Sequence, residues 1–276
     1  MFHRLVWLRN AFRKSATLRW VYRLAVRLDV DCAAAIAKYS AEQPVRFAFA
    51  HGTTTVQFRI DSVERYIGLA CPREPKVIGR FINMLREGDM VWDIGANFGF
   101  YSLISASRVG ASGAVIAFDP HPNCQKEIAA NAELNGFAWL TTANVALGAN
   151  TGTMRLAGAS SGIDGTHRIV ALDSDESGPS VEVSVVRGDD WIFSNAMPIP
   201  NIVKLDVEGA EFDVLTGMEI TISSPLCRAI IAEIHFSILH QIGRDHVPRE
   251  IILLLKRAGF NKINWIDASH LVATKL

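Results

Sequence analysis

Short apolar runs alternate with helical patterns from residue 89 to the C-terminus. Short runs dominated by apolar residues and bounded by turn residues are typical of strands buried on both faces of a sheet. The predicted strands of this kind are Met90–Ile94, Ala114–Phe118, Ile202–Leu205 and Ala229–Ile234. The predicted helices are Phe100–Arg108, His121–Leu134, Ala210–Gly217 and Arg249–Ala258. This alternation predicts an α/β fold with a mostly parallel sheet covered by helices on both faces.

Other segments add strands to the series. Thr142–Leu147 is predicted as one strand, and Lys262–Ile266 with Leu271–Lys275 are predicted to form a closing pair. Three further strands are predicted over residues 152–157, 167–172 and 181–186. The stretches 158–165 and 174–180 are rich in Gly and Ser. They are candidate acceptor-binding or lid loops, or surface loops without a ligand role.

The N-terminal part follows another pattern. A helical region is predicted over residues 1–43, and Pro44 ends it because proline cannot continue a helix. A hairpin is predicted from Val45–Ala50 and Thr54–Ile60, and a helix over Glu74–Arg86. We therefore expect a helical and hairpin extension over residues 1–73 and a main domain over residues 74–276.

The charges are distributed unevenly although they sum to zero. The chain has 28 basic and 28 acidic residues, but residues 1–28 hold seven basic residues and no acidic one. The remaining chain therefore has 21 basic against 28 acidic residues, a net charge of −7. An acidic body disfavours binding to nucleic-acid phosphates. The composition thus argues against a nucleic-acid partner.

The basic arm of residues 1–28 also contains several aromatic residues. Basic and aromatic residues on one helix suit the surface of an anionic membrane. Packing of the arm on the body, or on a partner subunit of a homo-oligomer, is an alternative interpretation. An Arg-rich transit peptide is a third.

The cysteines and the apolar segments favour a reducing, cytoplasmic setting. The four cysteines form no Cys-x-x-Cys pair, which disfavours a thiolate zinc site. Apolar runs stay well below the roughly 18 residues of a membrane span. Basic residues interrupt the N-terminal segment, so it does not resemble a signal peptide. We expect a cytoplasmic protein, with peripheral membrane contact through the arm as the alternative.

A glycine loop follows the first buried strand, with Gly95, Asn97 and Gly99 at alternate positions. Glycine at a strand-to-helix turn lets the backbone approach a ligand beside the N–H groups of the helix start. Asn97 occupies the position where dinucleotide-binding loops have their second glycine, and a third glycine is absent in register. The loop therefore predicts a nucleotide-type ligand but departs from the dinucleotide pattern.

Two carboxylates specify the ligand further. Asp93 ends the strand before the loop, where it would repel a pyrophosphate and attract a cation. Asp119 ends the next strand, 20 residues after Gly99, where an acidic side chain can accept hydrogen bonds from ribose hydroxyls. A nucleoside with a cationic amino-acid tail is S-adenosylmethionine. We therefore predict S-adenosylmethionine as the cofactor, although each aspartate alone could simply cap a turn.

A second polar cluster follows the later strands. Asp206 and Glu208 come after Ile202–Leu205, and Glu233 and His235 end the next strand. Because ligands of α/β sheets bind at the carboxyl ends of the strands, we expect these four side chains beside the reacting centre. Glu211 is expected in the first turn of a helix, where the helix dipole favours an acidic residue.

Methyl transfer to an alcohol requires alignment of the reactants and removal of the hydroxyl proton. His235 and Asp206 are the candidate bases, and a histidine at a strand end is otherwise a simple hydrogen-bond donor. A divalent cation on Asp206 and Glu208 is compatible with their oxygens, but the spacing does not specify one.

Three strings resemble the FkbM family of methyltransferases: Asp-Ile-Gly-Ala-Asn-Phe-Gly at 93–99, Phe-Asp-Pro at 118–120, and Ile-Val-Lys-Leu-Asp-Val-Glu-Gly-Ala-Glu at 202–211. The resemblance covers about residues 74–236. It implies a class I, Rossmann-like methyltransferase fold with a mostly parallel seven-stranded sheet. It also implies O-methylation of a hydroxyl on a sugar, glycolipid or polyketide-type acceptor, lipid-linked glycans included.

The resemblance also implies positions for the cofactor. The loop residues Asp93, Gly95, Asn97, Phe98 and Gly99 would hold its methionine end, and Asp119 its ribose, at a position where relatives commonly have Glu. Asp206 and Glu208 match the second motif without a defined role.

Two other functions fit parts of the pattern. An NAD-dependent oxidoreductase shares the glycine loop and the ribose carboxylate, but the absent third glycine and Asp93 count against it. A non-catalytic binding protein could retain the fold, because a fold alone does not establish a function.

Overall fold

The computed structural model describes residues 45–60, 63–70, 72, 74–158, 168–170 and 180–275. The helical region predicted over residues 1–43, the basic arm within it and most of both Gly/Ser-rich stretches lie outside these ranges. The chain divides into two compact units, Met1–Pro75 and Lys76–Leu276, which we describe separately.

The described part of the first unit is a hairpin with one helix. Strands β1 (Val45–His51) and β2 (Thr54–Ile60) pair antiparallel as the predicted hairpin, around Gly52, whose φ is 60°. Buried and exposed residues alternate along β2. Helix α1 (Val63–Ala70) contacts both strands, and the sequence pattern did not predict it.

The second unit contains eleven strands among its described residues: β3 (Met90–Ile94), β4 (Ala114–Phe118), β5 (Leu140–Ala143), β6 (Ala146–Leu147), β7 (Gly152–Ala157), β8 (Arg168–Val170), β9 (Ser180–Val186), β10 (Ile202–Leu205), β11 (Ala229–Glu233), β12 (Lys262–Trp265) and β13 (His270–Thr274). Its helices, of which α2 begins at the boundary, are α2 (Pro75–Met84), α3 (Phe100–Val109), α4 (Pro122–Asn135), α5 (Gly188–Asn195), α6 (Glu211–Thr216), α7 (Glu219–Ser223), α8 (Phe236–Gln241) and α9 (Val247–Arg257).

The main sheet has seven strands in the order β12-β13-β11-β10-β3-β4-β5. The strands from β11 to β5 in this order are parallel, whereas β13 is antiparallel to both of its neighbours. The number of strands agrees with the expectation, but the sheet is mixed and not strictly parallel. The reason is the short connection from Trp265 to His270, because a return by a tight turn joins only antiparallel strands.

A second sheet of four strands has the order β6-β9-β7-β8. Its presence corrects the prediction of a single strand over Thr142–Leu147. That segment bends at Val145, so that β5 belongs to the main sheet while β6 pairs with β9. The segment has no glycine or proline at the bend, which is why the pattern alone did not reveal the division.

Helices cover both faces of the main sheet. Trp92 on β3 is fully buried and packs against Phe118 and Trp191, with ring centroids 4.7 and 5.4 Å away. The same apolar cluster includes residues of α6 and α9. Asp93 points to the opposite face, because successive side chains alternate along a strand, and there it contacts Ser102 of α3.

The carboxyl ends of the parallel strands meet at one edge of the sheet. The glycine loop follows β3, Asp119 follows β4, Asp206 follows β10, and His235 lies just beyond β11. The topology therefore brings the predicted site residues together. None of the described helices combines the length and the apolar composition that a bilayer span requires.

Candidate active site

The glycine loop is held against the ends of two neighbouring strands. The N–H groups of Gly95 and Ala96 both donate to the carbonyl of Phe118 at 3.0 Å. Gly95 has a φ of 80°, and a Cβ there would lie 1.7 Å from the carbonyl oxygen of Asp206. Gly99 precedes α3 with a φ of 87°, and a Cβ there would lie 2.9 Å from Ile128. Both positions therefore require glycine.

Asp119 connects the loop to the end of β4. Its Oδ2 accepts the backbone N–H of Asn97 at 2.8 Å, and its Oδ1 accepts that of His121 at 2.9 Å. These two backbone donors fix the carboxylate at the end of β4. Asn97 has a φ of 50°, which turns its N–H towards Asp119. This arrangement suits a ligand with a pair of hydroxyl groups.

A cleft opens at the edge of the sheet between the loop and the second polar cluster. Its lining includes Gly95, Asn97, Asp119, Asp206 and Glu208, with apolar residues such as Phe118 and Leu147 beside them. Phe98 is not among the cleft-lining residues, and its half-buried ring lies 6.4 Å from that of Phe100. Its contact with the cofactor stays a prediction.

Asp93 lies behind the cleft and not in its lining. The side chain is 2% exposed, and Oδ2 accepts a hydrogen bond from Ser102 Oγ at 2.5 Å. Burial raises the pKa of Asp93 to about 6, while the bond to Ser102 and the charge of Lys204 oppose the rise. The Asp93 carboxylate is therefore held on α3 behind the cleft, and its contact with the cofactor stays a prediction.

Lys204 is a site residue that the sequence pattern did not single out. It lies opposite Asp93 on the neighbouring strand and is fully buried. Its Nζ lies 3.3 Å from Asp206 Oδ2 and 4.8 Å from the ring centroid of Tyr101. The sequence does contain a signal for this residue, namely a lysine inside an otherwise apolar strand. Such a lysine is expected to be buried, and a buried charge requires partners.

The turn after β10 determines where the second acidic cluster lies. Glu208 and Gly209 have φ values of 51° and 96°. A non-glycine residue in this region is strained, and such strain is concentrated at functional sites. Burial raises the pKa of Glu208, and the positive charge of His235 opposes the rise. The turn holds the Glu208 carboxylate beside His235.

His235 is the centre of this cluster. Its Nδ1 lies 2.6 Å from Glu211 Oε1, while its Nε2 lies 3.6 Å from Asp206 Oδ1 and 3.4 Å from Glu208 Oε2. Burial would lower the pKa of His235, but the bond to Glu211 and the surrounding carboxylates outweigh it and raise the pKa to about 9. The imidazole is therefore a cation at neutral pH.

Glu211 does more than begin a helix. It lies in the first turn of α6, as expected, but it is also fully buried, and Oε1 accepts the N–H of Gly209 at 2.9 Å besides binding His235. The bond to His235 was missed because residues 24 apart reveal no pairing in one sequence.

Glu233 is half-buried and faces His270, with 3.3 Å between Glu233 Oε2 and His270 Nε2. One ligand atom each of Asp206, Glu233 and His235 lies within 4.8 Å of the others. A cation there would compete with the Nε2 proton of His235, because a histidine binds metal only when deprotonated. We assign these atoms to the ionic network around His235.

Comparison with known proteins gives matches over most of the chain. The family profile described as "Methyltransferase FkbM domain" matches residues 93–262. The hexuronic acid methyltransferase AglP of Haloferax volcanii is 29% identical over 203 residues, which cover 73% of this chain and 76% of that protein. The 31-O-demethyl-FK506 methyltransferase FkbM of Streptomyces tacrolimicus is 28% identical over 206 residues, which cover 65% and 75%.

Among solved structures, a methyltransferase FkbM from Methylobacillus flagellatus is 15% identical, with a TM-score of 0.46. The match covers 76% of this chain and 52% of that structure, so the chain spans about half of its length.

Proposed function

Because the chain belongs to the FkbM-domain family of methyltransferases, we propose that it transfers a methyl group from S-adenosylmethionine to a hydroxyl oxygen. The observation that carries this proposal is Asp119 at the cleft, held by the backbone of the glycine loop. Its carboxylate suits the ribose hydroxyls. A Cβ on Gly95 would collide with the backbone at Asp206, so only glycine allows the loop to lie this close to the end of β10.

The charges near the cleft also suit S-adenosylmethionine, which supplies an electrophilic methyl group on a positively charged sulfur. Asp206 and Glu208 line the cleft, and Asp93 lies behind it. These carboxylates attract a cation and would repel the pyrophosphate of a dinucleotide. The NAD-dependent alternative is therefore disfavoured by the same residues that support methyl transfer.

The acceptor is proposed to be a sugar, a glycolipid or a polyketide-type hydroxyl compound. The two curated relatives act, by name, on a hexuronic acid and on a demethylated FK506. A second cavity adjoins the cofactor cleft and shares Glu208 and Ala210 with it. Its lining combines apolar side chains such as Ile238 with the polar side chains of Asn150 and Arg244. Such a mixed lining suits the apolar and hydroxylated faces of a sugar.

The chain's own residues align the acceptor and remove its proton. His235 and Asp206 are the proposed bases, and Glu208 borders both cavities. Glu233 belongs to the same edge of the sheet and is proposed to support this cluster. A divalent cation is not needed for this mechanism, because the proton has acceptors among the protein groups.

The basic arm of residues 1–28 has two proposed roles. Its seven basic residues suit an anionic membrane, where the arm would concentrate the enzyme near a lipid-linked acceptor. Alternatively, the arm packs on the body or on a partner subunit.

Incubation with methyl-labelled S-adenosylmethionine and a fractionated extract tests the proposed activity. We expect label to enter a glycolipid, polysaccharide or small-molecule fraction. His235→Asn and Asp206→Asn should each abolish the transfer while binding of S-adenosylmethionine stays largely intact, because Asp119 and Glu208 remain in the cleft. His246→Asn changes a histidine whose side chain is 63% exposed and serves as the control. Full turnover in both site variants would contradict their assignment as bases.

A further inference from the structure

The two ring nitrogens of His235 face different surroundings. Nδ1 is bonded to Glu211 at 2.6 Å. Nε2 faces Asp206 and Glu208 at 3.6 and 3.4 Å, which exceeds the usual range of about 2.7–3.2 Å for an N–H···O bond. Both carboxylates line the cofactor cleft. One nitrogen is therefore held by Glu211, and the other is directed at the two carboxylates of the cleft.

The position of Glu211 is energetically unfavourable for a carboxylate. The residue is 0% exposed, and its Oε2 has no hydrogen-bond partner among the described residues. A buried polar atom without a partner lowers the stability of the folded state, because it has lost its hydrogen bonds to water. Its other oxygen is held by the N–H of Gly209 and points the carboxylate at His235. Structural stability alone would favour an apolar residue here, so the contact with His235 accounts for the carboxylate.

We propose that Glu211 is a positioning residue, whose carboxylate holds the Nδ1–H of His235 so that Nε2 accepts the proton of the acceptor hydroxyl. This inference rests on the proposed methyl transfer. The acceptor O–H bond breaks and its proton moves to Nε2. An oxygen lone pair forms the new bond to the methyl carbon, and the electron pair of the broken C–S bond stays on sulfur. The imidazolium afterwards releases its proton to water.

The charged groups around His235 determine how this step depends on pH. The described groups that face it are the carboxylates of Asp206, Glu208, Glu211 and Glu233, with Lys204 beside Asp206. Burial would lower the pKa of His235, but Glu211, Asp206 and Glu208 raise it to about 9, so most molecules hold the imidazole protonated at neutral pH. A positively charged cofactor in the cleft lowers that pKa, because like charges disfavour protonation. Activity should therefore rise with pH.

Nitrogen NMR of the histidine-labelled wild-type protein tests the orientation directly, with His235→Gln used to assign the signal. We expect Nδ1 to keep its proton in the neutral form, while Nε2 loses its proton as the pH rises through about 9. A neutral form with the proton on Nε2 would overturn the proposal. This result needs no activity, so it stands even if the acceptor or the proposed methyl transfer proves wrong.

Glu211→Gln tests the consequence for catalysis. The change removes the charge at almost constant shape, and we expect kcat on the high-pH plateau of the profile to fall about 10²-fold. The midpoint of the pH profile should move to lower pH, while the Kd for S-adenosylmethionine stays within about twofold of wild type. Glu219→Gln, at the exposed start of α7, is the matched control and should behave as wild type. An unchanged kcat and pH profile in Glu211→Gln would refute the positioning role. If this variant fails to fold, the NMR result for the wild-type protein decides whether Glu211 holds the Nδ1 proton of His235.

Discussion

Lys204 balances charges that the apolar interior would otherwise exclude. It lies opposite Asp93 in the sheet and 3.3 Å from Asp206. Its charge lowers the pKa of Asp93 against the larger effect of burial. A buried charge is tolerated only when it is paired. The lysine therefore links the carboxylate behind the glycine loop to the carboxylate in the cleft.

Gly95 permits a prediction with an internal control. Gly95→Ala combines an unfavourable φ of 80° with a collision against the carbonyl of Asp206, whereas Gly136→Ala has a similar φ of 70° and open space around its Cβ. The unfavourable φ alone should lower the free energy of unfolding by about 1–2 kcal/mol. Gly95→Ala should lose clearly more and should also lose affinity for S-adenosylmethionine. Urea unfolding and calorimetry measure both effects, and equal losses in the two variants would contradict the account.

Single residues at strand ends could be predicted, but their partners could not. Asp93, Asp119 and Asp206 were predicted from their place at the ends of buried strands, and the topology brings them to one edge. The bond from Glu211 to His235 depends instead on the left-handed turn at residues 208 and 209. Such a turn depends on packing that one sequence does not display.

At the scale of elements, the buried strands were the most predictable. Met90–Ile94, Ala114–Phe118 and Ile202–Leu205 have the predicted bounds, because short apolar runs between turn residues admit few other structures. Four helices were missed: α1, α5, α7 and α8, which have eight, eight, five and six residues. Helices of only about two turns or fewer show little periodicity.

The local sequence pattern does not determine which strands pair in the second sheet. Its strands were predicted nearly as they are, except that β6 was joined to β5. Alternation of side chains identifies a strand but not the sheet that it joins. The pairing of β6 with β9 involves residues nearly 40 positions apart, Ala146 with Val185. That sheet supplies Leu147 and Ile169 to both cavities, so its placement affects the acceptor side of the site.

At the scale of the whole molecule, the uneven charge distribution suggests two roles for the basic arm, membrane binding or packing on protein, and these can be distinguished by experiment. If the arm binds membranes, the full chain should co-sediment with anionic vesicles, should not co-sediment with neutral ones, and should be released by salt. A chain without residues 1–28 is the control and should stay in the supernatant. Equal recovery with both vesicle types, or none with either, would leave packing on the body or on a partner subunit as the role of the arm.

The acidic body has its cleft at the edge of the sheet, and the proposed methyl transfer depends on binding of S-adenosylmethionine there. Calorimetric titration of the wild type tests it most directly, beside Asp119→Asn and the exposed control Asp245→Asn. We predict binding of S-adenosylmethionine to the wild type and the control, no binding of NADH, and affinity weakened about 10- to 100-fold in Asp119→Asn, since a charged hydrogen bond is worth about 1.5–3 kcal/mol. Tight binding of NADH without binding of S-adenosylmethionine would contradict the account.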